Sequence, residues 1–354
     1  MTLDTKREVL LGKALTMFGE KAVPKEPEIR QALFYAYDID HVEYTDDMLR
    51  RLLNDVIYDK NADNLFTKYV IPPFSVLDTR QGYWRERNKA WLKITGDLTA
   101  TKEAVLGEGL LAKINGGSSN FDPVLAEVMY TWFNQPNGKI LDPFGGEQTK
   151  GVVAGVMGFP YWGCELRQDQ VDLNAGICEQ WPHVNYACGD STELDTHIQE
   201  RGFDFMLTSP PYYDLEIYSA DEADLSAALS YEDFMAGMTT IYRKTYEMLN
   251  DNRFAVIKVG EVRDSKTGVY RNYVADSVRA MQAAGYHYYN ELILVNNVGT
   301  APVRSSGAFR TRKMVKLHQN VLVFYKGDTR TIAAHFGTAT PHIMETQAPQ
   351  DTLW

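Results

Sequence analysis

A hydroxyl group, two prolines and aromatic rings lie together where an apolar stretch ends. Phe205-Met206-Leu207 reads as a short strand, and Ser209-Pro210-Pro211-Tyr212 follows it after Thr208. Consecutive prolines can neither continue a helix nor pair inside a sheet, so the backbone must leave the sheet here. The turn then presents a hydroxyl, proline carbonyls and aromatic rings, which suit a planar base that carries an amino group. A stiff loop that only caps a core strand is the alternative.

A second group of residues has the spacing of a nucleoside-binding site. The apolar strand Ile140-Leu141 runs into Asp142-Pro143-Phe144-Gly145-Gly146, where glycines let the backbone approach a cofactor and the next helix offers its amide groups. The following strand ends on Glu165, placed to accept hydrogen bonds from both ribose hydroxyls. A third strand leads to Asp190, which is positioned either to accept from an adenine amino group or to cap a helix.

In this order the two groups resemble the motifs of phage and bacterial DNA amino-methyltransferases, which act on cytosine N4 or adenine N6. That family has DPFxGxG for S-adenosyl-L-methionine and (S/D/N)PP(Y/F/W) for the target base, and the resemblance spans roughly residues 120 to 327. It implies that Ser209 and the Pro210 carbonyl accept from the amine hydrogens, and that Tyr212 stacks on a base flipped out of the duplex or taken from a single strand. The implied catalytic residues are Ser209, Pro210, Pro211 and Tyr212. The implied cofactor-binding residues are Phe121, Asp122, Asp142, Pro143, Phe144, Gly145, Gly146, Glu165 and Asp190.

Within this resemblance, Ser209 rather than Asp or Asn favours cytosine N4, and adenine N6 is the alternative. Gln148 stands where the family has its last glycine, so a side chain there is expected to crowd or reshape the cofactor loop. This departure supports a hypothesis of another class, a catalytically idle DNA-binding or partner module of the same fold. A nicotinamide dehydrogenase is disfavoured because GxGxxG is absent, while RNA or small-molecule methylation stays open.

The elements that must position these residues alternate as strand and helix from Ile140 onward, which is typical of a doubly wound parallel sheet. The resemblance implies an α/β, class I S-adenosylmethionine-dependent methyltransferase fold, Rossmann-like, with a seven-stranded, mostly parallel sheet. We place this catalytic domain at residues 116–327, after a mainly helical accessory region at 1–115 and before a tail at 328–354. In the accessory region, apolar residues at helical spacing predict helices near the amino terminus and over Asp46 to Tyr58. Asp122 and Pro123 predict the start of another helix.

Residues 70–96 interleave basic and aromatic side chains, among them Arg85, Arg87, Trp84 and Trp91. Such a pattern suits phosphate contacts and base stacking, but equally an amphipathic helix whose tryptophans pack inward. The stretch also resembles a segment that accompanies the phage-type members of the family.

A segment at 297–316 contains five cations and no acid, and its composition predicts a loop without regular structure. We interpret it as the DNA-contacting loop, in which basic side chains reach phosphates or guanine edges. A disordered hairpin tip with incidental charge is the alternative. The candidate DNA-binding residues are Arg304, Arg310, Arg312, Lys313 and Lys316.

The chain has 354 residues and a net charge of −11, so any DNA contact must be local. No apolar run is long enough for a bilayer and the first residues lack a signal sequence, which predicts a cytoplasmic protein, as in a bacterial or phage-infected cell, with no membrane partner. The three cysteines lack metal-site spacing, and none lies beside a proline, which argues against methylation of a ring carbon. The expected partner is DNA, as in restriction-modification; the oligomeric state stays open, a homodimer being one option.

Overall fold

The computed structural model describes residues 3–19, 44–58, 73–95, 121–213, 225–296 and 301–336, together with residues 22, 23, 26, 29, 30, 33, 70, 71, 298 and 299. The chain divides into two compact units: Met1–Pro73 with Ala339–Pro341, and Phe74–Thr338 with His342–Trp354. The predicted domain boundary at 115/116 and most of the predicted tail lie outside the described residues. No described helix is long and apolar enough to cross a membrane.

The first unit contains two of the predicted helices, α1 (Leu3–Phe18) and α2 (Asp46–Tyr58). They pack through a small cluster of buried apolar residues that includes Leu11, Phe18 and Leu49. The Thr45 hydroxyl accepts a hydrogen bond from the Met48 amide at 3.3 Å, which caps the start of α2. The apolar periodicity of the sequence therefore located both helices correctly.

The second unit is built on an eight-stranded sheet. Its strands are β1 (Val76–Asp78), β2 (Ile140–Asp142), β3 (Tyr161–Glu165), β4 (Val184–Cys188), β5 (Phe203–Thr208), β6 (Leu249–Val259), β7 (His287–Val295) and β8 (His318–Lys326). Their order is β1-β7-β8-β6-β5-β2-β3-β4, and β8 alone runs antiparallel to its neighbours. This is the class I methyltransferase fold that the sequence predicts, with one strand more than the seven expected.

The extra strand is β1, which pairs in parallel with β7 at the edge of the sheet. Its residues fall within the predicted accessory region at 1–115, and a strand of only three residues is too short to show a pattern in the sequence. Helix α3 (Gly82–Thr95) follows it directly. From Phe74 onward, the interleaved basic and aromatic segment therefore belongs to the unit that holds the sheet.

Helices cover both faces of the sheet. They are α4 (Pro123–Phe133), α5 (Thr149–Val156), α6 (Gln168–Cys178), α7 (Leu194–His197), α8 (Tyr231–Met248), α9 (Tyr273–Ala283), α10 (Ala301–Phe309) and α11 (Ile332–Phe336). Phe205 contacts Tyr130 of α4, whereas the next residue of the strand, Met206, packs in one cluster with Phe234 and Met238 of α8. Successive strand side chains point to opposite faces, so α4 and α8 lie on opposite sides of β5.

Helix α10 corrects one expectation. The segment at 297–316 was predicted to lack regular structure, yet nine of its residues are helical. Pro302 lies in the first turn, where its missing amide costs nothing, and Arg312 with φ of +57° reverses the chain after the helix. The serines and glycine inside the helix are weak helix formers, which explains why this segment shows no clear helical periodicity.

Candidate active site

One cavity lies where β2, β3, β4 and β5 end, the edge at which open α/β sheets bind their ligands. Its free space, including the solvent at its mouth, is about 1250 Å³. All the predicted catalytic residues line it, as do all the predicted cofactor residues except Asp122 and Asp142. The two motifs, some sixty residues apart in the chain, therefore face one space.

The loop after β2 closes tightly over β3. The Gly145 amide donates to the Cys164 carbonyl at 2.6 Å, and a Cβ atom on Gly145 would lie 3.1 Å from that oxygen. Gly146 has φ of +55°, a left-handed conformation that favours glycine, and its amide donates to Glu165 Oε2 at 3.0 Å. Both glycines are thus needed to bring the backbone to the edge of the cavity.

Gln148, the departure from the family pattern, adopts φ of −68° and ψ of −13° at the start of α5. This conformation is open to any residue, so no glycine is required there. The side chain is 1 % exposed and does not line the cavity. The expected crowding of the cofactor loop is therefore wrong, since Gln148 is packed away from it.

Asp142 lies beneath the cavity and organises its floor. Oδ1 accepts from the Thr208 hydroxyl at 2.7 Å, while Oδ2 accepts from the Tyr161 hydroxyl at 2.7 Å and lies 2.6 Å from Lys150 Nζ. Lys150 also donates to the Phe144 carbonyl at 2.8 Å. This buried carboxylate joins three adjacent strands, β2, β3 and β5, to α5. Asp142 thus has a positioning role and does not line the cavity.

Asp122 also stays out of the cavity, because it is the N-cap of α4, as the sequence predicts. Its Oδ1 accepts from the amides of Val124 and Leu125 at 2.9 and 3.2 Å, and its Oδ2 accepts from the Trp84 indole at 2.9 Å. Burial raises the pKa of this carboxyl group, which these donors counteract. Its neighbour Phe121 does line the cavity, and the Phe121 amide donates to Glu147 Oε1 at 2.7 Å.

Helix α3 is attached to α4 by buried polar contacts. Glu127 is 5 % exposed; it accepts from the Trp91 indole at 2.7 Å and forms a two-bond ion pair with Arg87. Trp84 and Trp91 are 1 % and 3 % exposed. The packing alternative for this segment is therefore correct for both tryptophans, and their indole groups bind the N-cap Asp122 and Glu127 of α4.

Glu165 and Asp190 lie on the walls of the cavity at the ends of β3 and β4. Besides the Gly146 amide, Glu165 accepts from the Arg167 amide at 3.0 Å, and burial raises the pKa of its carboxyl group. Asp190 accepts from the Thr192 amide at 2.8 Å and thus caps a short 3₁₀ turn while still lining the cavity. The capping role of Asp190 is confirmed, and its contact with an adenine amino group stays a prediction.

On the opposite wall, the Ser209 hydroxyl donates to the Lys258 carbonyl at 3.3 Å. The Pro211 carbonyl accepts from the Tyr273 hydroxyl at 2.9 Å, which fixes the turn. Gln319 at the start of β8 donates to the Tyr212 hydroxyl at 3.1 Å, and the ring of Tyr273 packs edge-on against Tyr212. The diproline turn is therefore held by three other elements, β6, α9 and β8, and the last two orient Tyr212.

Sequence reasoning missed Lys258 and Gln319 as cavity residues. Lys258 is one cation in an apolar strand, and Gln319 is one amide beside a histidine, so neither forms a pattern. The only available signal was their position at strand ends. Lys258 Nζ lies 4.7 Å from the centroid of the Phe121 ring.

The candidate DNA-binding residues do not line the cavity. Arg304, Arg310 and Arg312 are exposed, on α10 or just after it, while Lys313 and Lys316 are partly buried. Lys316 donates to Asn320 Oδ1 at 3.2 Å, and burial lowers its pKa. The three arginines are thus available to a partner, and Lys316 is held near β8.

No protein-family model matches the sequence, and no curated protein matches it significantly. Solved structures with a similar fold include TrmN of Thermus thermophilus, with 15% identity, a TM-score of 0.41 and coverage of 60% of this chain and 51% of that one. An S-adenosylmethionine-dependent methyltransferase of Clostridium acetobutylicum gives 11% identity and a TM-score of 0.40, and the match covers 65% of this chain and 100% of that one.

A third is a candidate DNA modification methylase, also of Thermus thermophilus, solved with S-adenosyl-L-methionine. It gives 20% identity and a TM-score of 0.30, and the match covers 40% of this chain and 54% of that one. This chain spans about half the length of TrmN and of this methylase.

Proposed function

We propose that the protein is an S-adenosyl-L-methionine-dependent methyltransferase that acts on an exocyclic amino group of a base in DNA, cytosine N4 being favoured over adenine N6. The observation that carries the proposal is the single cavity lined by the glycine loop on one side and by Ser209-Pro210-Pro211-Tyr212 on the other. A methyl transfer requires a donor site and an acceptor site that open onto one space.

The residues present fit the cofactor. Gly145 and Gly146 bring the backbone to the cavity edge, and Glu165 and Asp190 offer carboxylate oxygens where a ribose and an adenine amino group are expected. When bound, S-adenosyl-L-methionine supplies a methyl group carried on a sulfonium ion. Phe121 borders the same space from the start of α4.

The opposite wall fits an amino group on a planar ring. The Ser209 hydroxyl donates a hydrogen bond to the Lys258 carbonyl, so the lone pairs of the serine oxygen can accept a hydrogen bond from an amine hydrogen. The Pro210 carbonyl is the second acceptor, and the Tyr212 ring, oriented by Gln319, is a stacking surface. Acceptors aimed at both amine hydrogens favour the pyramidal nitrogen that attacks a methyl group.

The basic segment supports DNA as the substrate. Arg304, Arg310 and Arg312 are exposed on a chain whose net charge is −11, so they form a local cationic surface. A base in a duplex cannot reach the cavity without leaving the stack, which implies base flipping or a single-stranded substrate.

The test is transfer of labelled methyl from S-adenosyl-L-methionine to mixed-sequence DNA, followed by digestion to nucleosides. We expect label in N4-methylcytosine, lost in Ser209→Ala and Tyr212→Ala but kept in the control Tyr289→Ala, whose ring is outside the cavity. Label in N6-methyladenine would change only the base assignment. No label on DNA and no cofactor binding by calorimetry would refute the proposal and favour the idle DNA-binding or partner module.

A further inference from the structure

Lys258 is a buried cation on the wall of the cavity. It lies near the end of β6, is 5 % exposed, and its ammonium group is 4.7 Å from the centroid of Phe121. The preceding residue, Ile257, belongs to the core cluster on the other face of the sheet. Alternation along the strand therefore turns Lys258 toward α4 and the cavity.

Two other cationic side chains line the cavity. Lys150 lies 5.4 Å from the centroid of Phe121 and forms an ion pair with Asp142 in the floor. Arg167 follows β3, where it donates to Gln170 at 3.0 Å and lies 3.9 Å from Glu165. Of the two lysines of the cavity that lie beside Phe121, Lys258 is the nearer to its ring, and its charge also counteracts the burial that raises the pKa of the Asp122 carboxyl group.

Phe121 and Lys258 lie on elements other than β3, which ends on Glu165. Glu165 is the expected ribose acceptor, whereas Phe121 precedes α4 and Lys258 belongs to β6. Ser209 directly follows the neighbouring strand β5, and its hydroxyl donates to the Lys258 carbonyl. A ligand that starts at Glu165 and ends at Phe121 would place its far end beside the Lys258 ammonium.

We propose that Lys258 binds the carboxylate of the methionine arm of S-adenosyl-L-methionine, an inference that rests on the proposed function. The sulfonium and amino groups of the cofactor are cations, so the carboxylate is its anion. A lysine ammonium only donates hydrogen bonds and is attracted by an anion. Buried ion pairs of this kind fix the position of a ligand as well as contributing affinity.

The test compares two ligands that differ by the carboxylate alone, S-adenosyl-L-methionine and decarboxylated S-adenosylmethionine, by titration calorimetry. Lys258→Met keeps the length and apolar stem of the side chain and removes the charge. We expect it to weaken binding of the full cofactor about ten- to a hundredfold and to leave the decarboxylated ligand within about threefold. Lys258→Arg should keep the preference for the carboxylate.

Equal weakening of both ligands in Lys258→Met, together with loss of the preference in Lys258→Arg, would overturn the inference. Unchanged cofactor affinity in Lys258→Met with reduced methylation of DNA would also overturn it, and would assign Lys258 to the target base. If the wild-type protein binds neither ligand, the proposed function itself fails. The control is Lys244→Met, which removes a lysine on α8 whose ion pair with Asp195 lies outside the cavity.

Discussion

Replacing Glu127 by leucine should detach α3 from α4 and destabilise the sheet-containing unit. The carboxylate is 5 % exposed and contacts both the Arg87 guanidinium and the Trp91 indole. Removing one partner of a buried ion pair typically costs about 3–5 kcal/mol. Because the Arg87 side chain keeps 16% of its surface exposed, we expect the lower end, about 3 kcal/mol.

Three further variants test this reasoning. Glu127→Gln keeps an acceptor for Trp91 and should cost about 1–2 kcal/mol. The double variant Arg87→Met/Glu127→Leu removes both charges and should be more stable than Glu127→Leu alone. Glu86→Leu, on the same helix, removes an acid whose side chain is 58% exposed and should change the unfolding free energy by less than about 0.5 kcal/mol.

The assay is urea unfolding followed by tryptophan fluorescence, with free energies compared at a common denaturant concentration. A loss below about 1 kcal/mol for Glu127→Leu, or a double variant no more stable than the single one, would refute the description of this contact as a buried ion pair.

Three other results are expected. Binding of S-adenosyl-L-homocysteine, measured by calorimetry, should weaken as the pH falls through the raised pKa of Glu165, because protonation removes the negative charge and turns one of the two acceptor oxygens into a donor. Glu165→Gln should abolish that pH dependence. Gly146→Ala should lower the unfolding free energy by about 1–2 kcal/mol, because Gly146 has φ of +55°. Gly176→Ala should raise it by about 0.5–1 kcal/mol, because Gly176 lies on the exposed face of α6 with nothing within 4 Å of the added Cβ. Urea unfolding measures both changes. Arg304→Ala/Arg310→Ala should weaken DNA binding and reduce the slope of log affinity against log salt by up to about 2, and an unchanged slope in fluorescence anisotropy would contradict phosphate contacts.

The sheet was predictable because its strands are apolar runs separated by helix-forming stretches. β3 ends on Glu165 and β2 ends at Asp142, as the sequence predicts. By contrast, β1 has three paired residues, and its place beside β7 depends on a contact more than two hundred residues away in the chain. Local patterns cannot encode such a pairing.

Within the site, the residues of the two motifs were predicted, as were Glu165 and Asp190 at the ends of predicted strands, whereas Lys258 and Gln319 were not. Ser209 and Tyr212 follow a strand in one motif, whereas Lys258 and Gln319 are brought to the cavity from separate strands. Asp122 and Asp142 were predicted from the same family resemblance, but the structure assigns their oxygens to Trp84, Tyr161 and Thr208. A motif marks a location, and the burial of each carboxylate then decides whether it faces the cavity or the core.

The antiparallel direction of β8 has a consequence for how such a chain can diversify. Because β8 runs against β7, the connection that carries α10 emerges at the same edge as the diproline turn, and Gln319 at its far end contacts Tyr212. Residues 293–295 of β7 pair with residues 318–320 of β8, so the strands themselves fix the register of the hairpin and the connection does not. Lengthening a surface connection costs little free energy. The α10 hairpin can therefore be exchanged or resized in evolution or engineering without changing the half of the sheet that holds Glu165 and the glycine loop.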